Sequence, residues 1–300
     1  MDKWIEFIKE NDIGKYITNA DLKRFNTYKI GKTAYLVVYP KDTQKLIKLM
    51  KFIKSNSIKY KVLGNGSNVI FNEVYDGILI KLDCFNKCTF INNKVKVGAG
   101  YNLIKLSREV AKKSLAGLEF AAGIPGTIGG AVYMNAGAYK SDMGYIVENI
   151  KVLTPDFKII IMTNKEIKFK YRTSFLKSHP DYICIEATLK LTKGNKEKIL
   201  EVINERKNRR LESQPLEYPS AGSVFRNPEG MFAGKLIEDL GFKGLTKGGA
   251  QVSNKHANFI INIGNAKPED VKELIEFIKD AVKERYGVEL KVEQEFVNWE

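Results

Sequence analysis

Residues 121–139, AAGIPGTIGGAVYMNAGAY, restrict what this chain can fold into more than any other stretch. They hold five glycines and no charged side chain, in a protein that is 28% charged. A surface loop of that length would carry charge, and a buried strand would carry few glycines. Glycine has no Cβ, so another group can lie against its main-chain N–H, and positive φ becomes accessible. Pro125 sets a turn just before the Gly-Thr-Ile-Gly-Gly run. The composition points to a cradle in which main chain meets a large, partly anionic cofactor.

The bulk properties narrow the class. A length of 300 residues suits about two domains and allows a sizeable core. Hydrophobic content of 44% is ordinary for a globular protein, and no apolar run is long enough to span a bilayer. The N-terminal MDKWIEFIKENDIG is interrupted by charge throughout, unlike a signal peptide. It reads as a short amphipathic helix with Trp4, Ile5 and Ile8 on one face. Cys84, Cys88 and Cys184 are odd in number, and the only histidines are His179 and His256, so no zinc set is formed. The thiols are expected to be small buried or half-buried groups, as in a cytoplasmic protein.

A net charge of +14 favours anionic partners. The lysines, such as Lys45, Lys48, Lys51 and Lys54, are spread over helix faces, with no aromatic–basic stripe. That pattern argues against nucleic acid.

The periodicity predicts a strand over 34–39 and a helix over 42–55 with Asp42 as N-cap. A strand then breaks into a Gly-Asn-Gly-Ser-Asn turn at 64–68. Short strands are expected at 78–82 and 94–98, and a helix from Asn102 to Lys113. After the glycine-rich segment, IVENIKVLT and IIIMT form a hairpin turning at 155–157, followed by a strand at 183–191 and a charged helix at 196–211 that links two domains. Further on come a short helix stopped by Gly241, a strand at HANFIINI, and a long helix from Pro268 to Tyr286. Strands and helices in mixed order indicate an α+β fold rather than a regular βαβ array.

Two nucleotide fingerprints are absent. Val69 stands where GNGSN would need its third glycine, Gly98-Ala-Gly100 fails in the same way at Leu103, and no Gly-Lys-Ser/Thr follows a glycine loop. Two uncharged glycine turns nevertheless occur in order, and successive N–H groups in such turns can form anion-binding nests. Together with NTYKIG (26–31), VLGNGSN (62–68), YRTSF (171–175), QPLEYPSAGSVFRNP (214–228), AGKLIEDLGFKG (233–244), GGAQVSNKHANFIIN (248–262) and YGVEL (286–290), they span nearly the whole chain. In these motifs the sequence resembles the UDP-N-acetylenolpyruvoylglucosamine reductase family, flavoproteins of bacterial peptidoglycan synthesis, in its shorter subtype.

The resemblance implies a two-lobed FAD-binding domain of the vanillyl-alcohol-oxidase (PCMH) type, with lobes over 1–82 and 83–205, and a substrate-binding domain over 206–300. It implies non-covalent FAD, NADPH as reductant and a UDP-sugar substrate, in a cytoplasmic monomer without nucleic acid or membrane insertion. No histidine precedes His179, so histidyl attachment of flavin in the first lobe is impossible. FAD contacts are expected from Gly64, Asn65, Gly66, Ser67, Asn68, Gly126, Thr127, Gly129, Gly130, Asn135, Gly137 and Ala138, with Thr27 as a lesser contributor.

In that family a hydride adds to C3 of an enolpyruvyl ether, and C2, made basic beside a carboxylate, takes a proton. The resemblance assigns Arg172 to the developing charge, where its planar fork suits a carboxylate. It assigns Ser223 to the proton donation and Glu293 to completing the site, with Glu295 as the alternative carboxylate. Tyr171, Arg226 and Asn227 are weaker substrate contacts, and Gln251 and His256 weaker still.

Overall fold

The computed structural model describes residues 2–299. The chain divides into two compact units. One takes the residues up to Thr18, Leu36–Asn65 and Gly77–Asn208; the other takes Asn19–Tyr35, Gly66–Asp76 and the chain from Arg209 onward.

In the first unit, helix Thr43–Ser55 begins where expected, because the Asp42 carboxylate accepts a bond from Lys45 N at 2.9 Å. Such a cap satisfies one of the donors a helix start leaves open. Helix Leu103–Lys112 starts in the same way, with Asn102 Oδ1 accepting from Lys105 N at 2.9 Å. Leu46, Leu49, Met50 and Ile53 of the first helix, and Leu103, Leu106 and Val110 of the second, face the core.

An antiparallel five-stranded sheet runs in the order Ile159–Thr163, Val147–Leu153, Ile183–Lys190, Lys94–Gly98, Cys88–Ile91. Its first hairpin closes where Thr154 N donates to Lys158 O at 2.9 Å. A second sheet contains Tyr60–Val62 paired in parallel with Val74–Ile80. The strand Tyr60–Val62 delivers the chain into the Gly-Asn-Gly-Ser-Asn turn. Of the three cysteines, Cys184 is buried and Cys88 half-buried as expected, whereas Cys84 is exposed. It follows the exposed Asp83 in the turn after the strand Val74–Ile80.

The second unit has its own core. Val271, Leu274, Ile275, Ile278 and Val282 of helix Pro268–Tyr286 pack with Ala250, Val252, Ile260, Val224, Phe225, Tyr28 and Ile70. Pro268 opens that helix, and Gly287 closes it at φ +67, a conformation glycine adopts without a Cβ clash. A three-stranded sheet orders Thr246–Lys247, Ala250–Val252 and Ile260–Asn262, and Glu295–Val297 pairs in parallel with Val69–Phe71. The strand expected over HANFIINI is only the piece Ile260–Asn262. Residues 256–259 instead form a turn, with Phe259 N donating to His256 O at 2.9 Å. The Ser253 hydroxyl accepts from the main-chain N–H of both Lys255 and His256.

The glycine-rich segment also departs from a simple cradle. It contains the helix Ile128–Met134, N-capped by Thr127. Two adjacent glycines are poor helix formers, so this helix is imposed by its surroundings. Ile128 N donates to Tyr101 O at 3.0 Å and Gly129 N to Ala99 O at 2.8 Å. A Cβ on Gly129 would lie 3.1 Å from Ala99 Cβ, so close packing requires glycine there. Among the described residues, no helix is long and apolar enough to cross a membrane.

Candidate cofactor and catalytic sites

The main-chain amides of Gly64, Asn65, Gly66 and Ser67 donate to no protein acceptor among the described residues. These consecutive N–H groups, in a half-buried turn, are open to an acceptor from solvent or from a ligand. The turn is anchored from behind. Leu63 N makes the last ladder bond, to Ile80 O at 2.9 Å. Lys81 Nζ then donates to Gly64 O and lies 3.4 Å from Asp83 Oδ1. Burial pulls the Lys81 ammonium below the ordinary lysine range, against the opposing pull of Asp83. In the second unit, Gly66 has φ +64, a Cβ there would collide with the Phe25 carbonyl, and Gly66 O accepts from Thr27 N at 3.1 Å and Thr27 Oγ1 at 3.4 Å.

Beside this turn, in the first unit, lies a cleft of about 460 Å³ lined by Asn65, Asp83, Asn86, Gly100, Tyr101, Asn102 and Lys105. Its size is that of a small-molecule or cofactor site. The far wall is stitched to the glycine-rich segment: Leu103 N donates to Gly126 O at 3.0 Å, and a Cβ on Gly64 would lie 2.8 Å from Thr127 Oγ1. Nothing stands within 4 Å of a Cβ placed on Gly126, so the main chain is open there. The expectation that Gly129 and Gly130 present amides in a second nest is corrected. Their N–H groups bond Ala99 O and, at 3.3 Å, Thr127 Oγ1, because the segment is helical at that point. Gly137 and Ala138 pair with Asp142 and Ser141 in a short hairpin.

Arg172 occupies a tight turn closed by mutual main-chain bonds between Lys170 and Thr173, at 3.0 and 3.1 Å. Its φ is +54, where a non-glycine residue is strained by about 1 kcal/mol or more. Its guanidinium carbon sits 5.4 Å from the centre of the exposed Tyr171 ring. The turn hangs from the glycine-rich segment. Asn135 Nδ2 donates to Lys170 O at 2.9 Å, and Ser174 Oγ donates to Tyr133 O at 2.7 Å. Asn135 is itself only 2% exposed and accepts from Gly144 N at 2.9 Å. Its amide therefore faces protein on both sides and places the Arg172 turn.

The remaining predicted residues lie in the second unit. Residues 223–226 run antiparallel to 291–294. Glu293 N donates to Val224 O at 2.8 Å, and Arg226 N to Lys291 O at 2.9 Å. Glu293 thus lies opposite Val224, and Gln294 opposite Ser223, across one strand-like pair. Asn68 Nδ2 donates to Glu293 O at 3.2 Å, and Glu295 N donates to Asn68 O at 2.9 Å. Glu295 belongs to the pairing with Val69 rather than to the Ser223 segment. Asn227 Oδ1 accepts from Ala233 N at 3.1 Å, at the start of helix Ala233–Asp239. Gln251 Nε2 bonds Gly244 O and Thr246 Oγ1. Burial holds His256 below the ordinary imidazole range, and its Nδ1 accepts from Asn258 N at 3.2 Å. It is a neutral structural acceptor near neutral pH.

Sequence reasoning passed over Lys81, Asn258 and Gln294. Only Lys81 left a signal, as a lone charge inside the apolar run GILIKL.

A polar cleft beside the glycine turn, in a chain with neither a Walker nor a Rossmann motif, fits the flavin-binding class of oxidoreductase that comparison with known families defines. A family model for an FAD binding domain matches residues 34–163, and one for the UDP-N-acetylenolpyruvoylglucosamine reductase C-terminal domain matches residues 214–297. The UDP-N-acetylenolpyruvoylglucosamine reductase of Anoxybacillus flavithermus is 44% identical over 299 residues, covering 99% of each chain. That of Caldanaerobacter subterraneus is 43% identical over 298 residues, covering 99% of this chain and 97% of its own. The crystal structure of the corresponding reductase from Thermus caldophilus is 35% identical, with a TM-score of 0.79, over 94% of this chain and 98% of that one. The chain belongs to the UDP-N-acetylenolpyruvoylglucosamine reductase family and is an FAD-dependent oxidoreductase.

Lys81→Met keeps the apolar stem but removes the bond to Gly64 O. A lost charge-assisted hydrogen bond in a half-buried site predicts FAD binding weaker by about tenfold or more. Titrating flavin-free protein and following flavin fluorescence reads this directly. An unchanged Kd would remove Lys81 from the turn's support.

Proposed function

We propose that this protein reduces the enolpyruvyl ether of UDP-N-acetylglucosamine-enolpyruvate to UDP-N-acetylmuramate, with NADPH as reductant. The observation that supports the reading is the antiparallel pairing of residues 223–226 with 291–294, which brings the main chain at Ser223 and at Glu293 together in the second unit. When bound, FAD would supply the redox chemistry, as the hydride carrier between NADPH and C3 of the substrate. The open amides of Gly64, Asn65, Gly66 and Ser67 suit the cofactor diphosphate, and the bare main chain at Gly126 suits a flat ring packed closely. Thr127, Gly129, Gly130, Gly137 and Ala138 shape that wall, and Asn135 acts behind it.

The protein's own groups manage the charge and the proton. As C3 becomes a methyl group, negative charge grows on C2 and spreads into the carboxylate. The Arg172 fork pairs with that carboxylate and stabilises the charge. Strain retained at Arg172 supports a functional reason for keeping arginine where glycine would fit the backbone better. Ser223 gives its hydroxyl proton to C2, and the basicity of that carbon compensates for the weak acidity of serine. Glu293 completes the site by hydrogen bonding, and the serine oxygen recovers its proton from solvent. Tyr171, Arg226 and Asn227 are proposed to contact the UDP-sugar. The enzyme is proposed to act as a cytoplasmic monomer, without nucleic acid.

In Ser223→Ala, NADPH is expected to bleach the flavin at the normal rate while substrate turnover falls by about 10²- to 10⁴-fold. Stopped-flow measurement of the two half-reactions separates these, and normal turnover would exclude Ser223 as the donor. Arg172→Gly is expected to leave folding stability within about 1 kcal/mol while lowering kcat by about 10²-fold or more. Thermal unfolding beside steady-state kinetics checks both, and a wild-type kcat would overturn the assigned role.

A further inference from the structure

Ser223 lies in a loop, directly after Gly222 with φ +75. A hydroxyl that must meet one carbon of a substrate needs a peptide frame that does not rotate, and a loop carrying a left-handed glycine does not supply one. The frame comes from elsewhere. Gln294 Nε2 donates to both Ala221 O and Gly222 O, each at 3.1 Å. Gln294 Oε1 accepts from Tyr28 OH at 3.2 Å. Gln294 is 4% exposed and Tyr28 is fully buried, so the three bonds form away from competing water.

On the other side of Ser223, the residue just before Gln294 closes the frame, because Glu293 N bonds Val224 O. Asn258 adds to that side. It is 4% exposed, accepts from Phe225 N at 2.9 Å and donates to Phe225 O at 2.8 Å, while its own carbonyl accepts from Val224 N at 2.9 Å. The dipeptide 293–294 therefore straddles the serine. The Gln294 side chain holds the two peptides before Ser223, Asn258 O holds the peptide directly after it, and Glu293 N holds the Val224 carbonyl beyond.

We infer that Gln294 is a positioning residue for the Ser223 proton donor: its buried carboxamide, oriented by Tyr28, fixes the peptides at 221 and 222 and so the direction of the Ser223 hydroxyl. The inference rests on the proposed role of Ser223. A purely structural glutamine would add the same bonds, but its loss would not be confined to one half-reaction, nor would it depend on whether Ser223 is present.

The test uses the flavin-loaded enzyme in a stopped-flow instrument. Gln294→Met keeps length and volume and removes both donors and the acceptor. NADPH-driven bleaching should stay within about twofold of wild type, while reoxidation by the enolpyruvyl substrate slows about 10- to 100-fold. Ser223→Ala/Gln294→Met should be no slower than Ser223→Ala alone, since a group acting only through the serine has nothing left to lose. A wild-type reoxidation rate in Gln294→Met, or losses that multiply in the double variant, would overturn the inference.

Should Gln294→Met not fold, Tyr28→Phe removes a single hydroxyl and leaves the carboxamide less firmly oriented. It should slow reoxidation about 3- to 10-fold, again without further effect in the Ser223→Ala background, and normal reoxidation would count against the inference. Ser223→Ala by itself reports separately: if it turns over normally, the proposed donor is wrong, whatever Gln294 does.

Discussion

Four consecutive main-chain N–H groups with no protein acceptor among the described residues are the constraint on which the rest depends. Donors left open by the protein take their bonds from water or from a bound ligand. The turn that carries them is held from the back, by Lys81 at Gly64 O in one unit and by Thr27 at Gly66 O in the other. In each unit the carbonyl side of the turn is thus held by protein. Fixed donors need no reorganisation when an anion arrives, which is what makes main-chain nests effective binding sites.

A second pattern runs through the residues proposed to be catalytic. Arg172 and Ser223 both lie in loops, and each is placed by a buried carboxamide rather than by its own secondary structure. Asn135 holds the Lys170 carbonyl beside Arg172, and Gln294 and Asn258 hold the peptides around Ser223. Each of these amides is buried with its polar ends bonded, the condition under which a buried polar group rigidifies its surroundings instead of destabilising them. The charge of the Arg fork and the reach of the serine hydroxyl come from side chains that the sequence names, while their directions come from amides it does not single out.

Elements governed by local chemistry were legible in the sequence. Asp42 before an apolar helical stripe, the long helix from Pro268 to Tyr286, and the turn between Leu153 and Ile159 each act within a few residues, and the structure bears them out. Helix Ile128–Met134 was not legible, because Gly129 and Gly130 speak against it and the carbonyls of Ala99 and Tyr101 impose it. The same holds for the strand pair joining Val69–Phe71 to Glu295–Val297, which no local pattern announces across more than two hundred residues. Within the site, residue types were readable through the family resemblance. The support for Lys81, Asn258 and Gln294 was not, because burial and bonding of a polar side chain are properties of the folded neighbourhood.

The most direct measurement is amide hydrogen exchange at residues 64–67, followed in the flavin-free protein and again with FAD bound. Donors that gain a permanent acceptor exchange more slowly. The account predicts at least about tenfold slower exchange at those four positions in the FAD-loaded protein, with little change in the buried strand Val147–Leu153. Equal exchange at residues 64–67 in the two states, with flavin demonstrably bound, would contradict it.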